Sequence, residues 1–528
     1  MKPSVYRRPH QWLVILVCSL VLFIISLGSF LSIFVEHELE RNILLLHGNT
    51  SSVRVNLFTR SIKVTDLEWS SGPNSINLNP HFLRLSAVTA EGINLYELFA
   101  HKTLLIKDIT IDSGTVQYSR HIIRQVQKIR NSEYNHFLFK NISLKNIHTQ
   151  VKTDTTTSLS ALLNGRIGEL SIKIDSLHNL SYSVEGIDAL VEHLSISRTE
   201  GMYGGTVARI HVNTLEKKLI IDSAILIPNY GKYEFAHQAG EQIARMNLSV
   251  PHVIIDGLQY EKLIDSSFVA ASVKIKSVTL YSFKDKRIPF LRKKNIPLPM
   301  AGFIQLPFSV KVDSISIEDS HIRIEEFPEF GNTTGIITFD SIQASITHLN
   351  NRRKETDPTT ASLDVTALLL NHGRIKASFQ FPLDGSPQYS ATGSISKMKF
   401  NTLNPVLSAL GNVRVESGYL NALSFQFKYT DYFSKGTLNI DYSDLPLMSL
   451  DDHHRATDGF KTFLMNAFVK NKRSQSPLTN VQTARIEIER DRKRYIFNIW
   501  IKSIMDGLKS SVLGKTTPSR GKKKEKSS

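Results

Sequence analysis

The feature that most limits what this chain can fold into is a stretch of 24 residues, from Trp12 to Val35, without a single charge. As a helix it would rise ~36 Å, enough to cross a hydrocarbon core of about 30 Å. A helix that is apolar on every face for this length needs a surrounding other than water. Lys2, Arg7 and Arg8 precede the run, and Glu36, Glu38 and Glu40 follow it before the next positive residue, Arg41. Positive charge stays on the cytoplasmic side, so the N-terminus is expected inside and the body outside. The expected bilayer-facing residues are Trp12, Leu16, Leu20, Phe23, Phe30 and Phe34, with Trp12 at the interface. A cleaved signal peptide is the rival reading. Its apolar region is about 7–15 residues and ends in a small-x-small site, which Ser26-Leu27-Gly28 matches only weakly. The length favours a retained anchor.

Residues 36–528 are too many for one ordinary domain unless it is elongated or repetitive. The only cysteine, Cys18, lies in the apolar run, so the body has neither a disulfide nor thiolate chemistry. That favours a bacterial envelope over a secreted animal protein. Sequons at Asn49, Asn141, Asn179, Asn247 and Asn332 keep a eukaryotic secretory reading open. The net charge is +16, and part of it sits at the end, where Lys515, Arg520, Lys522, Lys523, Lys524 and Lys526 oppose Glu525 alone. Outside the cytoplasm such a tail suits anionic lipid and not nucleic acid. A solvated, disordered tail is the simpler alternative.

The body carries the period-two pattern of half-buried strands. Val53, Val55 and Leu57 alternate with polar residues, as do Ile62 and Val64. One theme recurs. Ile106 is followed by Ile109, Ile111, Val116 and Tyr118; 206 positions on, Val312 is followed by Ile315, Ile317, Ile322 and Ile324. Between the halves lie Asp112-Ser113-Gly114 and Glu318-Asp319-Ser320, which suggest a strand, a short turn and a returning strand. Weaker copies start at Phe139 and Ile275. The expected apolar sheet face therefore includes Ile106, Ile109, Ile111, Val312, Ile315 and Ile317.

Helix is expected around residues 240–246, with a continuation at 260–264, and again around 460–469. A polar loop is expected at 355–360. Pro289, Pro297, Pro299 and Pro307 mark a crossing between two halves, with Arg292, Lys293 and Lys294 as a surface cluster. The last element, residues 495–513, repeats apolar side chains at helical spacing: Phe497, Trp500, Ile501, Ile504, Met505 and Leu508. Preceded by Arg490, Arg492, Lys493 and Arg494, this helix either lies on a membrane surface or covers the end of the sheet.

Residues for catalysis do not assemble. The sequence has no nucleophile elbow, phosphate loop, zinc-protease motif or cysteine cluster. Asp451-Asp452-His453-His454 has metal-ligating residue types but no second ligand group nearby, and is taken as a loop. No enzyme activity, cofactor or metal is expected.

These features together resemble the AsmA-like family of Gram-negative envelope proteins, in the form common in Bacteroidetes-type bacteria. The resemblance rests on the N-terminal run, residues 52–69, the stretch Gly92-Ile93-Asn94-Leu95-Tyr96-Glu97-Leu98-Phe99, and residues 104–120 with their return at 308–327. Residues 418–427, 436–447 and 502–514 are similar to the family's C-terminal region. The resemblance implies a mainly β fold with minor α, in which an N-terminal transmembrane helix precedes a long, curled, largely antiparallel β-sheet with a groove-like apolar face. A C-terminal amphipathic helix completes it. It also implies phospholipid transfer or outer-membrane homeostasis from the inner membrane, without catalysis and with phospholipid as partner. The alternative is a periplasmic scaffold that assists outer-membrane protein assembly, with envelope assembly proteins bound at sheet edges. The expected organisation is 1–11 cytoplasmic, 12–35 anchor, 36–290 and 308–494 β-rich, 291–307 crossing, 495–513 helix and 514–528 basic tail. The sequence assigns no oligomeric state. An apolar strand face serves equally as an open groove or as one wall of a filled core.

Overall fold

A computed structural model describes residues 9–45, 48–70, 82–119, 135–152, 157–175, 180–198, 201–291, 294–411, 413–443, 447–449 and 482–513. The chain is mainly β and divides into two units. One holds residues 1–200 and 206–216; the other holds 201–205 and 217–528. The Pro-rich stretch 291–307 thus lies inside the second unit.

The first unit opens with helix α1 (Pro9–Leu45), one continuous helix of 37 residues that contains the charge-free run. Its strands are β1 (Gly48–Asn49), β2 (Ser52–Asn56), β3 (Ser61–Ser70), β4 (Phe82–Glu91), β5 (Thr103–Ser119) and β6 (His136–Lys152). They continue with β7 (Thr157–Ile167), β8 (Leu170–Ile174), β9 (Leu180–Val184) and β10 (Ile187–Arg198), while β11 (Tyr203–Asn213) carries the division. The short helix α2 (Leu95–His101) joins β4 to β5, its N-terminus capped by Asn94, whose side chain accepts from the Glu97 N–H. Pairing runs from β2 through β3, β4, β5, β6 and β7 to β10. Each pair is antiparallel except β5 with β6.

The second unit contains β12 (Lys218–Pro228), α3 (Glu234–Ala239), β13 (Ala244–Asp256), α4 (Tyr260–Ile264), β14 (Ser267–Lys276) and β15 (Thr279–Asp285). Then come α5 (Pro299–Ile304), β16 (Ser309–Phe327), β17 (Gly335–Asn350), β18 (Thr360–Leu369), β19 (Gly373–Pro382), β20 (Tyr389–Ile395) and β21 (Met398–Lys399). Helix α6 (Asn404–Gly411), β22 (Val413–Val415), β23 (Tyr419–Tyr429), β24 (Phe433–Ser443), β25 (Leu447–Ser449), β26 (Gln482–Glu489) and α7 (Ile496–Leu513) complete it. Strand β13 splits its pairing between β14 and β15. Both then run parallel to β16, which starts an antiparallel series through β17, β18, β19, β20, β23 and β24 to β26.

Two expectations are corrected. The recurring theme is not a hairpin: β5 and β16 each run unbroken through the residues taken for a turn. Ser113 and Asp319, 206 positions apart, instead hold left-handed backbone at φ 53° and 47°. Each inverts the in-out alternation of its strand, so apolar positions switch from odd (109, 111; 315, 317) to even (114, 116; 322, 324) while staying on one face, and β5 keeps unbroken register with β4 and β6 through Ser113. Asp66, Asn146, His193, Ser223, Ser277 and Ser341 do the same in or beside β3, β6, β10, β12, β14 and β17. Asn, Asp and His tolerate this conformation because a short polar side chain can bond locally. Secondly, residues 240–246 are not a helix. Gly240 is the left-handed C-cap of α3, and β13 begins at Ala244. The helix at 260–264, the loop before β18 and the C-terminal helix stand where the spacing put them. The expected helix at 460–469, the Asp451–His454 group, Arg292, Lys293 and the basic tail lie outside the described residues.

Candidate functional site

Strand register in the first unit aligns apolar residues into rows that cross the sheet. One row is Val55–Ile62–Ala90–Ile109–Ile142–Ile167–Ile187. The next is Val53–Val64–Val88–Ile111–Leu144–Gly165–Ala189. Beyond the left-handed seam the pattern resumes as Leu67–Leu85–Gly114–Ile147–Leu163–Val191. Val53, Val55, Leu85 and Ile147 are buried. Most of the others, Ile109 and Ile111 included, remain partly exposed. Trp69 and Ile196 extend the apolar surface as exposed side chains. Both clusters of buried hydrophobics among the described residues belong to the second unit.

The second unit uses the same construction differently. Its row Ile315–Ile346–Leu363–Phe379–Ala391–Phe427–Gly436–Ile486 runs into the main core. Helix α7 lies on that core. Trp500 stacks on Phe379 with ring centroids 4.0 Å apart, and Ile496 and Ile499 are buried beside them. Ser503 Oγ sits 2.8 Å from Ser434 Oγ and 2.7 Å from the Ile499 carbonyl. Gly507 is required here, because a Cβ would approach Leu438 Cβ to 2.7 Å. Three of the six long apolar side chains expected from spacing therefore help to bury α7, together with Ile496, Ile499, Ser503 and Gly507. Trp500, Ile504 and Leu508 pack on the core's margin, Met505 is partly exposed, and Phe497 and Ile501 face outward. The Ser503–Gly507 spacing was the sequence signal for the docked face.

Of the other expected residues, Ile106 and Val312 are buried, and Val312 belongs to a smaller core with Ile255, Leu258 and Ala270. Ile315 packs on that core, and Ile317 heads a row through Ala344, Val365 and Ala377. In α1, Phe30 and Phe34 are 69% and 63% exposed. The side chains of Trp12, Leu16, Leu20 and Phe23 lie outside the described residues. Among the described residues, no helix is long and apolar enough to cross a membrane.

Helix carboxylates close the sheet edges of β2 and β26. Glu36 Oε1 accepts the N–H of Val55 at 2.5 Å and Glu40 Oε1 that of Val53 at 3.4 Å, both outward donors of β2. In the second unit Asp506 Oδ2 accepts the outward N–H of Glu487 on β26 at 2.8 Å. Strand β9 differs: it pairs with β8, its residues 181–184 are exposed, and no second pairing is present among the described residues.

The strongest electrostatic group was not legible in the sequence. The buried carboxylate of Glu325 accepts from Tyr281 Oη at 2.6 Å, from Arg323 Nη2 at 2.6 Å, and from Lys232 Nζ. Burial alone would raise its pKa, but these three donors together outweigh burial and hold it at about 2. Asp285, buried beside Arg287, is likewise held below the usual carboxylate range, chiefly by the Arg287 guanidinium. These groups join strands to the segment that carries α3, and no buried side-chain polar atom among them lacks a partner, so the arrangement suits structure. One depression has a volume of about 610 Å³. It lies on the polar strand face opposite the core, between Ser316, Gln343, Asp364 and Lys376. A smaller one of about 240 Å³ adjoins Ser113, with Arg84 and His148 at its rim. Among the described residues no group of three His, Cys, Asp or Glu side chains could hold a metal. The chain matches no protein-family model and no curated protein.

Proposed function

We propose that this protein is a membrane-anchored, non-catalytic carrier that holds phospholipid acyl chains along the apolar sheet face of its first unit. The observation that carries the reading is the partial exposure of whole apolar rows, Ile62–Ala90–Ile109–Ile142–Ile167–Ile187 foremost, on strands of the first unit that carry no buried cluster among the described residues. Leaving such rows in water is costly, and an acyl chain gains ~0.8 kcal/mol for each CH₂ it removes from water. The charge-free run of residues 12–35 supports an inner-membrane anchor with the body in the periplasm. Glu36, the first charge after that run, is already bonded to β2. A lipid leaving the bilayer along α1 would therefore meet Val55 and Ile62 without a linker between. This is the role expected of an AsmA-like protein.

A photoreactive residue tests the reading by face. Placed at Ile142, on the apolar row, it should crosslink phospholipid in cells; at the neighbouring Ser143, on the other face, it should not. Equal labelling at both positions, or none at Ile142, would overturn the proposal. The second reading, a scaffold for membrane-protein assembly, draws on one observation, the unpaired side of β9 with exposed Tyr182. The helix carboxylates on β2 and β26 weigh against it, because they occupy the donors that a partner strand would need. Crosslinks from Tyr182 to a protein partner would favour it.

A further inference from the structure

Helix α7 carries more apolar surface than its sheet uses. Ile496, Ile499, Ser503, Gly507 and Ser510 press on the strands. About 100° further round, Phe497 and Ile501 stay 65% and 60% exposed, and Met505 continues their line one turn on. At ~100° per residue, Lys502 and Lys509 border this line on the side away from the sheet. The helix's one acidic residue, Asp506, falls elsewhere, with its carboxylate committed to the Glu487 N–H. After Leu513 the sequence continues with Lys515, Arg520, Lys522, Lys523, Lys524 and Lys526 against Glu525 alone.

An apolar line bordered by Asn498 and two lysines, with no carboxylate beside it, and followed by a polybasic segment has the chemistry of an interfacial helix, and its complement is an anionic bilayer surface. We propose that the outward line of α7 rests on such a surface. Phe497, Ile501 and Met505 enter the acyl boundary while Lys502 and Lys509 reach back to the headgroups. The basic segment adds attraction that salt screens. The same helix thus completes a protein core on one side and presents a lipid contact on the other. This contact is independent of α1 and of the apolar rows of the first unit.

The test uses full-length protein fixed by an N-terminal tag, with its first helix in a phosphatidylcholine nanodisc. It is presented with vesicles of phosphatidylcholine alone or with about one-third phosphatidylglycerol. Capture of the anionic vesicles is expected, weakening as salt rises. Phe497→Ser combined with Ile501→Ser should lower capture about tenfold or more. Ile501→Ser alone should leave thermal unfolding unchanged, whereas Phe497 also meets Trp500 edge-on with ring centroids 5.3 Å apart, so its loss lowers stability slightly. Lys502→Glu with Lys509→Glu should also reduce capture. Equal capture of neutral vesicles, or undiminished capture by the serine variant, overturns the proposal. A lowered unfolding temperature in Ile501→Ser alone overturns it too, since the line would then be covered by the chain itself.

Discussion

The two units build the same apolar rows and finish them differently. In the first, Ile109 and Ile111 stand in rows that cross from β2 to β10 with most members partly exposed. In the second, Phe379, Phe427 and Ile486 stand in an equivalent row closed over by α7, with Leu298 just before α5, Met300 in α5 and Leu407 in α6 joining the same core. What separates a partly exposed apolar surface from a protein core is thus the element laid on the strands, and not the strand pattern. Truncating matched positions is the most direct way to break the comparison. Phe427→Ala, at a position 1% exposed, should cost ~3–5 kcal/mol, while Ile109→Ala should cost about 1 kcal/mol, since less area returns to water. Hydrogen exchange followed unit by unit separates the two effects; equal losses would mean that the first unit's rows are as closed as the second's.

A second prediction sharpens the contrast through charge. Val88→Asp with Ile111→Asp should abolish lipid crosslinking from Ile142. It should leave exchange in the second unit as it is, because those side chains bound only the first unit's open face. The converse substitution, Ile486→Asp, places an unpaired carboxylate in a dry core and should unfold the C-terminal strands.

Acid should act on the second unit in particular. Glu325 is an ordinary carboxylate in the unfolded chain and is held at about 2 in the fold, so the folded form resists the proton. Its contribution is complete above about 4.5 and is lost as pH falls from there towards 2. Glu325→Gln should remove about 1–3 kcal/mol at neutral pH and flatten the acid limb of unfolding, monitored at Tyr281 and Tyr233. An unaltered acid limb would show that the Lys232–Tyr281–Arg323 group does not hold the fold.

Much of this architecture is legible from spacing. Alternation at Val53–Val55 and Ile62–Val64 marks strands, and the apolar spacing of residues 495–513 marks α7. The shift of 206 finds two strands with the same seam. What spacing does not carry is why the pattern changes parity at Ser113 and Asp319. A turn and a left-handed residue within a strand both use short polar residues, and only the partner strand, here with Asn146 left-handed opposite Ser113, decides between them. Nor does it say whether a row is covered. That depends on contacts more than 100 residues apart in sequence, such as Trp500 on Phe379. The Glu325 group is hidden for the same reason, since Lys232 and Glu325 are 93 positions apart.

The smallest expected effect bears on the seam that both units share. Ser113 and Ser341 hold left-handed backbone at φ 53° and 49°, which costs a side-chain-bearing residue about 1 kcal/mol relative to glycine. Ser341→Gly should relieve that strain in a strand pinned by a packed core, and so stabilise the second unit by up to ~1 kcal/mol. Ser113→Gly relieves the same strain, but it also frees a strand over which little is packed among the described residues, so its gain should be smaller or absent. Ser113→Val and Ser341→Val should both destabilise, because a β-branched residue resists positive φ. If both glycine variants gain equally, the seam is an independent local device. If only Ser341→Gly gains, its energetics are set by the same covering layer that separates the two units.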